Sequence, residues 1–217
     1  MRDRKKDGAP AGIDRREALK RVGAVPIAAG LALSPARLQA AQEHVHRSAA
    51  KAAKGKPYAP KFFTAHEWAT VRALADAVIP ADERSGSATD ALVPDFVDFV
   101  LDDPLAEPRE RESLQTGVRG GLAWLDRECR ERFSRPFVDC AGGERTAVLD
   151  DIAWPEKARP EMTQGAAFFT LFRDLVASGF WSSRMGVEDL RYMGNTFVAE
   201  WKGCPPEVLG KLGLADG

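Results

Sequence analysis

The chain has 217 residues, of which 44% are hydrophobic and 29% are charged, and its formal net charge is -1. This length suits one domain with a sizeable core, and the composition excludes a disordered or fibrous protein. Residues 1–40 hold nine Lys and Arg against four Asp and Glu, which leaves 22 basic and 28 acidic residues afterwards. An acidic body lacks the basic surface that neutralises phosphates, so no nucleic-acid partner is expected.

The first 40 residues have the layout of an export signal. A basic stretch is followed by a small, uncharged, apolar run over residues 22–33 and by Leu38-Gln39-Ala40, a candidate cleavage site ending at Ala40. The apolar run is shorter than the roughly 20 residues of a membrane span, so it predicts a targeting signal and not a membrane anchor. Two alternatives stay open: a basic disordered tail followed by an ordinary short helix, and an uncleaved signal that acts as a weak anchor.

Within this segment, residues 14–20 (DRREALK) resemble the signal of the twin-arginine export route, which carries folded proteins. The matching positions are Arg15, Arg16, Leu19 and Lys20. Asp14 and Ala18 depart from the usual form, which has Ser or Thr before the arginine pair and a bulky apolar residue at the second position after it. A periplasmic location is therefore predicted, with the signal spanning residues 1–40.

Residues 41–61 show no helical or strand periodicity and contain Gly55, Pro57 and Pro60, which predicts a linker or an extended arm. His44 and His46 lie on this arm without a third ligand, so no metal site is predicted there.

A helical domain is expected over residues 62–217. Thr64 and Glu67 have the spacing of a capping box, and apolar residues then recur at helical spacing until Pro80. Further helices are predicted near residues 94–103, 108–133, 144–154 and 165–181, followed by short terminal helices. No segment alternates with the period of two that marks a half-buried strand, so the fold class is all-α, a single irregular helical bundle.

Glycines mark two of these helices. Gly117, Gly120 and Gly121 fall inside the predicted helix at 108–133, where each costs roughly 1 kcal/mol relative to Ala, so they indicate either close approach of another backbone or a break. The segment at 165–181 is apolar on most faces, which is typical of a helix surrounded by protein, and Gly179 is expected to end it.

The sequence carries no motif for a cofactor or for catalysis. It lacks the Gly-x-Gly-x-x-Gly turn of flavin and nicotinamide sites and the Cys-x-x-Cys-His of covalent haem, so no cofactor is predicted in this chain. Thr70 stands where the zinc peptidase helix needs its second histidine. His66, with Glu67 or Asp76 as its acid, is the remaining candidate base, but no nucleophile motif accompanies it.

The cysteines and aromatic residues leave two further hypotheses. Cys129 falls on an apolar helix face, whereas Cys140 and Cys204 have loop-like contexts that leave a disulfide between them open. Aromatic residues are concentrated in the last third of the chain, where they are candidate anchors of a partner interface. The group consists of Trp154, Phe180, Trp181, Tyr192, Phe197 and Trp201, and all of these except Trp154 are the interface candidates.

Several separated blocks of the chain resemble, in order, the gluconate 2-dehydrogenase subunit 3 family, over roughly residues 60 to 210. The matching blocks are FFTAHEWATVRALADAVIPADERSGSATDALVPDFVDFV, GLAWLDREC, FVDCAGGERTAVLDDIAWPEKARPE and GAAFFTLFRDLVASGFWSSRMGVEDLRYMGNTFVAEWKGCP. The resemblance implies a non-catalytic small subunit that binds, stabilises and co-exports an FAD-dependent sugar or glycoside dehydrogenase of the glucose-methanol-choline type. It also implies the Tat translocon as a partner, FAD in the large subunit and haem c in a cytochrome c that receives electrons, with membrane association through the complex.

Two alternatives from other classes stay open at this point. One is a free-standing binding or stress protein of the cell envelope, which would be a stable monomer. The other is a self-sufficient exported enzyme that uses His66 as its base.

Overall fold

Eight α-helices and two short 3₁₀ helices form the regular structure of the residues that the computed structural model describes, namely 33–191, 200, 203–204 and 206–211. The α-helices are α1 (Pro35–Ala52), α2 (Ala65–Val78), α3 (Val93–Asp102), α4 (Pro108–Phe133), α5 (Gly142–Ile152), α6 (Thr163–Ser182), α7 (Arg184–Asp189) and α8 (Pro206–Lys211). The 3₁₀ helices are Phe137–Asp139 and Pro160–Met162. These described residues contain no strand, and the predicted all-α fold is confirmed.

Helix α6 lies at the centre of the fold. It contacts α1, α2, α3, α4, α5 and α7, which confirms the prediction of a helix enclosed by protein. Its buried side chains include Phe168, Phe172, Leu175 and Val176. Gly179 does not end the helix, contrary to the sequence-based expectation: a Cβ there would lie 2.8 Å from Phe96 Cδ1, so this glycine lets α3 approach α6.

The contact between α4 and α6 depends on a glycine in each helix. A Cβ on Gly121 of α4 would overlap the Phe168 ring of α6, and a Cβ on Gly165 of α6 would overlap the Trp124 ring of α4. Gly120, in contrast, faces open space. Helix α4 runs without a break, so close approach, and not a break, explains the glycine at position 121.

Helix α1 corrects the first part of the predicted linker or extended arm over residues 41–61, because residues 41–52 are helical and only residues 53–61 lie outside a helix. The Ser34 side chain accepts a hydrogen bond from Arg37 N at 3.4 Å, and Pro35 occupies the first helical turn, which together start a helix that continues to Ala52. The predicted domain boundary at Ala40 falls inside this helix. The buried stripe of α1 consists of Ala41, Val45 and Ser48.

This stripe is small and partly polar, which is why the apolar periodicity of α1 is weak in the sequence. Ala41 is fully buried, and Ser48 Oγ donates a hydrogen bond to Asp95 Oδ2 on α3 at 2.8 Å. A helix that packs through alanine and serine lacks the large apolar residues that sequence patterns detect.

The segment between α1 and α2 is held against α3 by the carboxylate of Asp98, which is fully buried. Asp98 accepts a hydrogen bond from Tyr58 Oη at 2.7 Å. It also accepts bonds from the backbone N–H groups of Lys61, Phe62 and Phe63 at 2.9, 3.0 and 3.3 Å. Burial, followed by the hydrogen bond to Asp98, raises the pKa of the Tyr58 hydroxyl.

Helix α2 begins at this anchored segment with the capping box predicted from the sequence. Glu67 N donates to Thr64 Oγ1 at 3.3 Å, and Thr64 N donates to Glu67 Oε2 at 2.8 Å.

None of the helices in the described part of the chain combines the length and the apolar character that crossing a membrane requires.

We expect Gly121→Ala to lower the free energy of unfolding by about 1–3 kcal/mol, because the new methyl group would force Phe168 and its helix to move. Gly120→Ala on the same helix should be neutral or should raise it by up to about 1 kcal/mol, since its Cβ meets nothing within 4 Å. Urea denaturation followed by circular dichroism measures both. Equal effects of the two substitutions would contradict the observed α4–α6 contact.

Candidate functional site

A cleft of about 300 Å³ lies between the start of α2 and the middle of α4. Seven of its nine lining residues are polar or charged, which distinguishes it from the apolar core. The lining residues are Thr64, His66, Glu67, Thr70, Arg119, Leu122, Ala123, Asp126 and Arg130.

The central contact of the cleft joins His66 of α2 to Asp126 of α4. His66 Nε2 lies 2.5 Å from Asp126 Oδ2, and the exposed fractions of the two side chains are 48% and 9%. The other carboxylate oxygen, Asp126 Oδ1, accepts a hydrogen bond from Phe137 N at 3.0 Å. Arg130 Nη2 lies 3.4 Å from Asp126 Oδ2. Asp126 therefore ties α2, α4 and the first 3₁₀ helix together.

A second pair, Glu67 and Arg119, lies on the same cleft. Arg119 Nε is 3.4 Å from Glu67 Oε1, while Glu67 Oε2 is used by the capping box. Arg119 Nη2 also donates to the Phe62 carbonyl at 2.7 Å, and the guanidinium stands 4.1 Å from the centre of the Phe62 ring. The charged groups of the cleft are thus engaged by neighbouring protein groups.

This geometry changes the chemistry expected of His66. The sequence suggested Glu67 or Asp76 as its acid, but the structure places Asp126 there, while Asp76 Oδ1 accepts from Thr89 N at 2.8 Å. The cleft hydroxyls are also committed: Thr70 Oγ1 donates to the His66 carbonyl at 3.1 Å, and Thr64 Oγ1 caps α2. Neither of the two threonine hydroxyls that line the cleft is hydrogen-bonded to the His66 ring, which is paired with Asp126, and the contacts of the charged groups are those of an ion-pair network.

Sequence reasoning missed Asp126 because it lies 60 positions from His66. One signal was present in the sequence. Asp126 shares the helical spacing of Leu122 and Cys129, which are buried, so it is a carboxylate on the apolar side of α4. A buried carboxylate is normally paired, and that rule indicates a missing partner without identifying it.

His44 and His46, the two histidines without a third ligand in the sequence, lie on α1. His44 stacks on Phe99, with ring centroids 4.6 Å apart, and meets Tyr58 edge-on. Burial is the largest cause that lowers the pKa of His44, and nearby Lys61 adds to it. His46 is exposed. The part of the chain that is described contains no group of three or more His, Cys, Asp or Glu side chains suited to a metal ion.

The interface candidates separate into three cases. Phe180 is 1% exposed and belongs to the core, so the structure contradicts its assignment as a partner anchor. Trp181, the next residue, is 42% exposed at the end of α6 and remains a candidate. Tyr192, Phe197 and Trp201 lie outside the described residues.

Other large apolar side chains are exposed at positions that the sequence analysis did not select. Leu105 lies before α4, Trp154 follows α5, and Leu190 follows α7, with exposed fractions of 87%, 65% and 56%. The sequence gives no signal that Leu190 is exposed, because the six residues of α7 that precede it are too few to show an apolar periodicity.

The disulfide suggested between Cys140 and Cys204 is not formed in the structure, in which all three cysteines are free. Cys140 is buried, with its sulfur 3.4 Å from the Pro136 carbonyl oxygen, whereas Cys204 is exposed. The thiol that neighbours Cys140 is that of Cys129. Burial, followed by this neighbour, raises the pKa of Cys129 to about 12.

Comparison with known proteins relates this chain to one protein family. The family model described as Gluconate 2-dehydrogenase subunit 3 matches residues 65–200, more than half of the chain. No curated protein and no solved structure matches the chain significantly. The matched range begins at α2 and includes the whole of α6 and every cleft-lining residue except Thr64.

We expect one thiol to react rapidly with a thiol reagent in the native protein at neutral pH. Cys204 is exposed, whereas Cys129 and Cys140 are buried, and a thiol with a pKa near 12 holds almost no reactive thiolate at pH 7. Titration with a chromogenic disulfide, before and after unfolding without a reductant, counts the thiols. A bridge between Cys140 and Cys204 would instead give no rapid thiol and a single one after unfolding.

Asp126→Ala should lower the free energy of unfolding by about 2–4 kcal/mol, because it leaves the buried Phe137 N–H without its acceptor and His66 without its carboxylate. Asp150→Ala, at an exposed position of α5, is the matched control and should change it by less than about 0.5 kcal/mol. Chemical denaturation measures both variants. If Asp126→Ala left the free energy of unfolding unchanged, the ion-pair network would not stabilise the fold.

Proposed function

This chain belongs to the gluconate 2-dehydrogenase subunit 3 family, and we propose that it binds, stabilises and co-exports a periplasmic FAD-dependent sugar or glycoside dehydrogenase as its non-catalytic small subunit. The family is one of accessory subunits of dehydrogenase complexes, so association with a catalytic subunit follows from membership. The identity of the partner as a flavoprotein of the glucose-methanol-choline type is part of the proposal.

The observation that carries the proposal is the family match over residues 65–200. The cleft supports it, because His66 is paired with Asp126 and the hydroxyls beside it are used in helix capping and helix backbone contacts. An accessory subunit needs no reactive group of its own. In the proposed complex, FAD is held by the large subunit, and a cytochrome c with haem c receives the electrons.

The end of α6 is the proposed contact surface, which we call the Trp181 surface and define by Trp181 and Leu190. Both side chains are exposed, at the ends of two helices that pack on each other. A Cβ on Gly186 of α7 would lie 2.9 Å from Trp181 Cα, so α7 is seated closely on this end of α6. Exposed tryptophan on a rigid element is a frequent anchor, because it buries a large area with little loss of conformational entropy.

Export is the second part of the proposal. The arginine pair Arg15 and Arg16 would address the chain to the Tat translocon, which carries proteins that have already folded. A flavoprotein that takes up FAD before export can cross the membrane in this way while it is bound to the small subunit. The interface must then survive translocation, which favours a stable contact of the obligate class.

The decisive experiment is production of the dehydrogenase with and without this chain. We expect the flavoprotein to be exported and to hold FAD only when both are produced. Full flavin content, activity and export of the dehydrogenase alone would contradict the proposal. A monomeric small subunit that never co-purifies with the dehydrogenase would favour a free-standing envelope protein.

Trp181→Ala should weaken the complex by at least about 30-fold in Kd, the effect of losing an interface anchor worth about 2 kcal/mol. Trp154→Ala removes another exposed tryptophan, outside the Trp181 surface, and should change Kd less than about twofold. Both isolated variants should keep the wild-type unfolding temperature, which separates binding from folding. Calorimetry measures Kd, and equal Kd values for both variants and the wild type would exclude the Trp181 surface.

Arg15→Lys combined with Arg16→Lys should leave both proteins in the cytoplasm, because the twin-arginine route requires the pair. The purified double variant should still bind the dehydrogenase with unchanged Kd, since the two positions lie before the domain. Fractionation and immunoblotting measure location. Undiminished export of both proteins would contradict the proposed route.

A further inference from the structure

Helix α1 crosses the site at which the sequence suggests that the export signal is removed. We propose that the signal is not cleaved after Ala40 and that α1 stays attached to the exported domain, with any processing confined to the N-terminal side of Ser34. The inference rests on the proposed export of this chain, but the packing of α1 on which it depends does not.

The bond between Ala40 and Ala41 lies in the interior of a continuous helix that runs from Pro35 to Ala52. A protease binds its substrate as an extended strand, so cleavage requires that several residues on each side of the bond leave the helix. Such opening is rare when the backbone is hydrogen-bonded and packed, and it then limits proteolysis.

The helix is docked on both sides of this bond. Before it, Arg37 Nε lies 3.1 Å from Asp103 Oδ2, a carboxylate whose side chain is 7% exposed. After it, Gln42 Nε2 donates to the Gly179 carbonyl at 3.2 Å and to Ser182 Oγ at 2.7 Å, both on α6. Unwinding the helix around Ala40 would break the contacts with Asp103 and with α6 together.

The product of cleavage after Ala40 would also be unstable. Its new N-terminus would place an α-ammonium group on Ala41, which is fully buried in the native fold. An unpaired buried charge is strongly unfavourable, and a positive charge at a helix N-terminus opposes the helix dipole. Removal of the chain up to Ala40 would further take Arg37 from Asp103 and the Ser34 cap from the helix.

On the proposed export route, folding of the chain precedes its crossing of the membrane and the removal of any signal. A chain that folds before it crosses the membrane presents α1 to the signal-processing enzyme in its docked form. A bond N-terminal to Ser34 avoids this helix, since Ser34 is its N-cap. Cleavage after Ala40 would also affect the proposed complex, because Gln42, which holds the end of α6 beside Trp181, would then be the second residue of the shortened chain.

The first measurement is the intact mass of the small subunit purified in complex with its dehydrogenase from the periplasm. We expect an N-terminus at or before Ser34, including the uncleaved chain as one such result. A folded, complex-bound subunit that begins at Ala41 would overturn the inference. If the chain is found only in the cytoplasm, co-export fails as a function, and the stability measurement below decides the inference by itself.

The second measurement uses point variants of the full chain. Ala41→Lys places an ammonium group at the buried position and should lower Tm by roughly 5–10 °C, whereas Gln39→Lys, at an exposed position on the same helix, should leave it within about 2 °C. If Ala41→Lys does not fold, Arg37→Ala should still lower Tm by roughly 2–5 °C through loss of its pair with Asp103. A wild-type Tm for Ala41→Lys would show that α1 is not docked and would overturn the inference.

Discussion

The buried carboxylate of Asp98 fixes the segment between α1 and α2 against α3, and the start of α2 and the cleft follow from that placement. Removing a carboxylate from water costs several kcal/mol, and four hydrogen bonds, each worth about 1.5–3 kcal/mol to a charged group, offset that cost. Three of the donors are consecutive backbone N–H groups of Lys61, Phe62 and Phe63, so Asp98 sets the path of the chain between α1 and α2. Thr64 follows directly, and its capping box starts the helix that carries His66.

Helix α6 connects this arrangement to the proposed function. Its glycines are used for close packing, at Gly165 against Trp124 and at Gly179 against Phe96, so most of its length is enclosed. Its last turn differs, because Phe180 is buried while Trp181 is exposed. A buried helix that ends in an exposed indole presents a rigid anchor whose position is set by the core, and α1 holds the same end through Gln42.

Where the sequence carried strong local signals, prediction and structure agree closely. The predicted helix from Pro108 to Phe133 has those bounds in the structure, and the capping box at Thr64 starts α2 as expected. The segment predicted at 165–181 is the helix Thr163–Ser182. Helix α1 was missed because it packs through Ala41 and Ser48, which carry little apolar signal, although Ser34 and Pro35 marked its start.

By itself, the sequence determined the all-α class, most helix bounds and the family, because caps, prolines and apolar spacing act over a few residues and several blocks match in order. Only the tertiary structure decided that His66 meets Asp126, that Phe180 is internal while Trp181 is exposed, and that α1 belongs to the domain. These facts depend on which helix faces meet between elements that lie far apart in the chain. Local backbone geometry does not encode that choice, since it follows from how all the buried surfaces fit together.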